Sequence, residues 1–233
     1  MHLYKYILIF LSFSVMAVEG VTCGLSTGYP PYQYVENGVP HGIDAEIIKL
    51  YNLKFDTDIG ITQNNWDALV SSFYFRGEPV CLMGMEITEK RDQRFAFSEV
   101  LYYRESVLFV LSSSKISSFT DLKDKVISGD KDSRLDNFLK AHEEFDIRLK
   151  YFQTKEKAFQ NLISGKVSGV IAPLRVGKYL LKNKSSYSII RAGETMKSPV
   201  AVAFKKGDKR IEEMNRNIKT LITDESFKKI INP

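Results

Sequence analysis

The chain is poor in the residues that build metal sites, disulfide scaffolds and membrane bundles. Of 233 residues, two are cysteine, three histidine and one tryptophan. Two cysteines are too few for a disulfide framework. With so little histidine and no CxxC pair, no metal-ligand spacing is present, and neither a metal nor another cofactor is expected. Only 14 glycines and 7 prolines occur, which excludes collagenous and low-complexity chains. Beyond the first 17 residues no apolar run is long enough to cross a bilayer, so no membrane insertion of the mature chain is expected. The net charge is +5, but 33 basic residues are interleaved with 28 acidic ones. No dense Lys/Arg tract remains to suggest a nucleic-acid partner. What is present is ordinary globular composition, 44% hydrophobic and 26% charged. This is enough for one or two domains with a sizeable core.

Residues 1–17, MHLYKYILIFLSFSVMA, carry one formal charge at Lys5, an apolar stretch of about ten residues and small residues at their end. That is the layout of a secretory signal peptide, and the stretch is half the roughly 20 residues a membrane anchor needs. A soluble, exported, periplasmic protein is expected. In that oxidising compartment Cys23 and Cys81, each in a short apolar run (VTCGL and PVCLMGM), can form a disulfide; they can equally pack as two inert thiols.

Strand-like runs alternate with helical patterns along the rest of the chain. Strands are predicted at 21–26, 80–85, 107–111, 148–152, 167–172 and 200–204. Helices are predicted at 44–52, 66–75, 135–143, 154–164 and 209–222, with Thr88 capping a short helix and Pro173 in a first helical turn. Such alternation predicts an α/β fold with mainly parallel sheets.

Five segments carry more. They are TGYPPYQY, GVPHGID, NNWDALV, MEITEKRDQRFAFSEVLYY and SPVAVAFKKGD, in that order. Together they resemble the type II periplasmic solute-binding proteins of the polar amino acid family, which includes histidine- and lysine/arginine/ornithine-binding proteins. The resemblance runs from about Val21 to Ile231. It implies two α/β lobes, 18–103 with 199–233 and 104–198, joined by crossings near Tyr102–Glu105 and Ser198–Val200. It also implies a ligand in the cleft, hinge closure around it, a monomer, and delivery of a small carboxylate such as an amino acid to an ABC permease.

The resemblance assigns roles residue by residue. Arg91 of ITEKR stands where the family grips the ligand carboxylate, and a guanidinium fork suits two carboxylate oxygens. Tyr29 and Trp66 stand where the ligand is covered from two sides, although a turn aromatic and a core tryptophan would explain them too. Gly84 and Met85 fall where the backbone approaches the ligand, and Asp132 and Ser133 where a helix start offers donors; helix capping explains Ser133 equally well. Two positions depart from the pattern. Glu86 replaces a Ser or Thr, and Pro173 replaces the Asp that receives the ligand ammonium. Glu86 therefore either takes over that ammonium or merely pairs with Arg91 or Lys90. Ser26 on the pocket floor carries no charge, which leans the ligand towards neutral, aromatic or flat solutes and away from lysine and arginine. His41 is expected to be solvated. Two other functions fit the same resemblance: a cyclohexadienyl dehydratase-like enzyme with Glu86 as acid, and a stand-alone periplasmic sensor.

Overall fold

A computed structural model describes residues 20–184, 186–192 and 197–232. The leader read from residues 1–17 lies outside them.

The first half of the chain builds β1 (Thr22–Ser26), a small meander of β2 (Gly28–Tyr29), β3 (Gln33–Glu36) and β4 (Val39–His41), then α1 (Ile43–Phe55), β5 (Gly60–Asn64), α2 (Trp66–Arg76), β6 (Cys81–Glu86), the single-turn α3 (Glu89–Asp92) and β7 (Phe95–Phe97). The long strand β8 (Tyr102–Leu111) leads into β9 (Val126–Ser128), α4 (Arg134–Ala141), β10 (Arg148–Lys150), α5 (Lys155–Ile163), β11 (Gly169–Pro173), α6 (Leu174–Leu181) and β12 (Tyr187–Ile190). A second long strand, β13 (Lys197–Lys205), returns to the first half, and α7 (Arg210–Leu221) and α8 (Glu225–Ile231) pack there.

Strand order is β10-β9-β11-β8-β13-β6-β1-β5. Each half has its own parallel set, β5-β1-β6 and β10-β9-β11. Between them lie the two long strands. Tyr102–Glu105 of β8 pairs antiparallel with Lys197–Val200 of β13, where the crossings were expected. Beyond that stretch β8 continues against β11 and β12, and β13 against β6 and β7. The fold is thus two α/β lobes whose connection is a two-stranded ribbon. The expected strand at 107–111 begins five residues earlier because Arg104 and Glu105 are carried across this ribbon.

Local signals explain most element ends. Asn65 and Thr88 accept backbone N–H groups from Ala68 and Arg91 to start α2 and α3, and Thr154 does the same for α5. Pro173 ends β11 and stands immediately before the first helical residue of α6, one place earlier than expected. The Cys23–Cys81 disulfide is formed: β1 and β6 are parallel neighbours with these residues in register, 4.5 Å apart at Cα. It closes a separation of 58 residues, which in the chain-entropy view contributes about 4 kcal/mol. Among the described residues no helix is long and apolar enough to cross a membrane, and no group of three or more His, Cys, Asp or Glu is placed to hold a metal ion.

Candidate functional site

A cavity of about 110 Å³ lies between the lobes, walled from one side by the ends of β1, β2, β6 and α2 and from the other by the loops after β9 and β10. The strand alternation of β6 decides what reaches it. Gly84 and Glu86 face the cleft, whereas Met85 points the opposite way into a core of Leu69, Phe73 and Phe95. The Met85 side chain therefore takes no part in the cavity. Gly84 has φ +72°, and a side chain there would collide with Asp44 and Gln33. Its carbonyl is occupied by Arg104 at 2.8 Å, so it is the floor itself that it holds.

Arg91 reaches the cleft from α3. One terminal nitrogen donates to the Glu86 carbonyl at 3.0 Å and the other to the Lys131 carbonyl, across the cleft, at 3.3 Å. A guanidinium has five N–H groups, so donors remain for a further acceptor. The Glu86 carboxylate lies 4.0 Å from Arg91 through Oε2, and the buried Ser198 hydroxyl also acts on this carboxylate as a donor. Burial pushes the Glu86 carboxyl above its ordinary range; Arg91 opposes this and the nearby Asp130 carboxylate reinforces it.

Tyr29 and Trp66 both line the cavity. The Tyr29 hydroxyl donates across the cleft to Asp130 Oδ2 at 3.1 Å. Burial, and then Asp130, hold this phenol well above its usual range, so it stays a donor. Ser133 lines the cavity too, but its Oγ caps α4 by accepting from Asp136 N at 3.2 Å. Asp132 does not line the cavity; Lys90 claims it at 2.6 Å as a clasp at the cleft rim. Ser26 forms part of the floor. His41 is half-buried, its ring stacked on Tyr34 at 5.7 Å, rather than fully solvated.

Several lining residues escaped the sequence reading: Gln33, Arg104, Asp130, Tyr151, Phe152 and Lys155. Arg104 is 5% exposed and donates to Gly84 O, Asp44 Oδ2 and the Tyr102 hydroxyl, with its guanidinium 4.2 Å over the Tyr32 ring. A charge inside the apolar strand LYYRESVLFV was the available signal. Lys155 opens α5, where the helix dipole disfavours a cation. Asp130 at 3.0 Å and the Ile171 carbonyl at 3.1 Å compensate. Pro173 is buried, paired with Ser106 of β8, and offers the cleft no carboxylate.

A cleft between two lobes that hang on a paired ribbon, lined by charged and aromatic side chains from both, defines a two-lobed solute-binding protein. The comparisons with known proteins agree. Residues 21–233 match the model of the bacterial extracellular solute-binding proteins, family 3, and the chain belongs to that family. It is 23% identical over 227 residues to the ABC transporter arginine-binding protein 1 of Escherichia coli, covering 94% of this chain and 92% of that one. Among solved structures, an ancestral arginine-binding protein bound to glutamine superposes with a TM-score of 0.80 at 25% identity, covering 91% and 96% of the two chains. A histidine kinase sensor domain with similarity to periplasmic binding proteins gives 0.82 at 17% identity, covering 92% and 95%.

Proposed function

We propose that this protein is a periplasmic receptor, exported by the leader at residues 1–17, that captures an amino acid or related small carboxylate between its lobes and delivers it to an ABC permease. The lobes are taken as 18–103 with 199–233 and 104–198, and the protein acts as a monomer. The observation that carries the reading is Arg91. Its guanidinium stands at the mouth between the lobes, oriented by one carbonyl from each side, with N–H groups to spare for a carboxylate. Tyr29 and Trp66 supply the flanking walls, and Ser133 sits at a helix start facing the same space. Capture of this kind breaks no bond; it needs a concave site and closure.

Thermal unfolding of the mature protein against amino acids and small carboxylates tests this. A ligand at 100 times its Kd adds about 2.7 kcal/mol, a shift of roughly 5–11 °C for a chain of this size. The Arg91→Ala protein should lose about 2–5 kcal/mol of binding, roughly 30- to 5000-fold in Kd, because the carboxylate would be left buried and unpaired. Binding retained within threefold would remove Arg91 from the role.

The sensor reading shares the capture step and differs only in what the closed protein docks on. The dehydratase-like reading uses Glu86 as acid, and conversion of prephenate or arogenate to the aromatic product would establish it in place of simple capture.

A further inference from the structure

Basic and acidic residues are interleaved along the sequence, yet the fold sorts them. Residues 104–198 carry 18 Lys and Arg against 11 Asp and Glu, whereas 18–103 with 199–233 carry 14 against 17. Within 104–198 the sheet sorts them a second time. Phe109 and Val170 pack on one side with α5 and α6, and Leu108 and Ile171 on the other with α4 and the turns at Phe119 and Phe145. The exposed acids described in this stretch, Asp121, Asp124, Glu143, Glu144 and Asp146, all lie in or beside those turns. The half-buried acids are engaged elsewhere: Glu105 with Arg191, Asp130 with Lys155, Asp132 with Lys90, and Glu156 beside Gly28 of the other lobe. The outer face of α5 and α6, which lie side by side, is left with cations alone. Lys157 and Lys166 are exposed on or just after α5, and Lys178, Lys182 and Lys184 on or just after α6. None of the five is paired with a carboxylate among the described residues, and Lys157 reaches only Gln153. Lys178, Tyr179 and Lys182 share one stripe of α6, and Tyr179 and Ile163 add exposed apolar surface to the same face.

We propose that the α5–α6 face docks this protein, peripherally and reversibly, on the anionic phospholipid surface of a bilayer. The five free cations are all lysines, whose ammonium groups ride on flexible stems and suit diffuse negative charge rather than a fixed bidentate acceptor. Arg175, the arginine of α6, is already held by the Ile231 carbonyl and the Asn232 side chain. A bilayer spreads its charge laterally, so it meets lysines from both helices at once without demanding one geometry. Tyr179 and Ile163 then rest at headgroup level, the place an amphipathic side chain favours. Two such side chains add little apolar burial, so the adsorption is electrostatic, sensitive to salt and free of any inserted segment. A receptor kept close to the membrane reaches a membrane-bound partner sooner, but the docking itself is independent of what the cleft captures.

Flotation of the mature protein with lipid vesicles tests this. Vesicles of phosphatidylcholine alone are compared with vesicles holding about 30 mol% phosphatidylglycerol, at about 0.02 and 0.15 M salt. The protein should float with the anionic vesicles at low salt, stay behind with the neutral ones, and lose most of its binding at the higher salt. The Lys178→Gln, Lys182→Gln, Lys184→Gln variant should partition roughly 30- to 100-fold more weakly, at about fivefold per lysine. The Lys205→Gln, Lys206→Gln, Lys209→Gln variant removes the same charge from the other lobe, where these lysines are also exposed. It should lose less than about threefold. No binding to anionic vesicles at low salt would overturn the proposal and leave the face to an acidic protein surface. Equal binding to neutral vesicles would remove its electrostatic basis, and equal losses in the two variants would replace a docking face by undirected net charge. The wild-type comparison decides the first two points, so a variant that failed to fold would not rescue the idea. None of the six lysines lines the cavity, so each outcome leaves the capture reading to its own test.

Discussion

Two arginine–carboxylate sets lie on the cleft floor, and they are built to opposite standards. Asp44 is completely buried and saturated, accepting from Tyr102 at 2.5 Å, Gln33 at 2.6 Å and Arg104 at 3.2 Å. Arg104 in turn is spread over Gly84 O, Asp44, the Tyr102 hydroxyl and the Tyr32 ring. Burial works against its charge, yet Tyr102 and Asp44 hold it protonated above its ordinary range. Arg91 and Glu86 are less buried, with side chains 14% and 8% exposed, and stand 4.0 Å apart, with the Ser198 hydroxyl also acting on the carboxylate. The Arg104–Asp44 set ties β8, at the crossing, to β6 and to the start of α1, and leaves only the Arg104 Nε–H without an acceptor among the described residues. The difference lies in the carboxylates: Asp44 is met from three sides by side-chain donors, whereas Glu86 keeps its arginine at 4.0 Å, and a loosely paired buried carboxylate costs stability that a closer partner would return.

Breaking the saturated set should have the largest effect. Arg104→Leu would leave Asp44 buried without its cation and should lower stability by about 3–5 kcal/mol, a fall of roughly 6–20 °C in Tm; denaturant unfolding with the disulfide intact checks it. If Arg104 instead belonged to the recognition set, stability would hold and only ligand affinity would fall.

The looser set should answer in the opposite sense. Glu86→Gln removes a desolvated charge, so the ligand-free protein should gain about 1–3 kcal/mol near neutral pH. The pH dependence gives the sign. The folded-state pKa of Glu86 is raised by burial, so above that raised value the charge is present in both states and the penalty is complete. As pH falls through it, the folded protein takes up the proton first and the penalty fades, ending near the ordinary glutamate range. The stability gap between Glu86→Gln and wild type should therefore be widest at neutral pH and close on acidification. A gap that grew in acid would contradict the assignment. Arg91, Asp130 and Arg104 are the charged groups acting on Glu86, with the Ser198 hydroxyl as a neutral donor beside them.

The smallest effect is expected at the rim. Lys90 and Asp132 form a 2.6 Å pair with Lys90 half in solvent. Lys90→Ala should change ligand affinity by no more than about fivefold, with the difference shrinking at high salt.

Much of the lobe carrying β1 to β7 was legible because its contributions are local. Caps at Asn65 and Thr88, the strand period through Cys81–Glu86 and the ITEKR turn each act within a few residues. Tyr29, Trp66, Gly84, Glu86 and Arg91 therefore land around one cavity. Met85 was misread by one residue in a two-residue period, which turns a side chain to the other face. The opposite wall was less legible. Asp130 stands in a turn and Lys155 at the first position of a helix, 25 residues on; either reads as an ordinary surface charge until the fold brings them to 3.0 Å. Asp132, two residues further along, went to the rim instead.

By itself the sequence determined the α/β alternation, the ends of most elements and the arginine of ITEKR that lines the cleft, since these follow from short-range patterning and from motifs a few residues long. Only the tertiary structure decided that Cys23 and Cys81 meet in register, that Arg104 and Asp44 neutralise each other, and that Glu86 is buried 4.0 Å from Arg91 in the cavity that Asp130 also lines. The physical reason is the same in each case: pairing and desolvation depend on distances across the ribbon between β8 and β13, which no local pattern encodes.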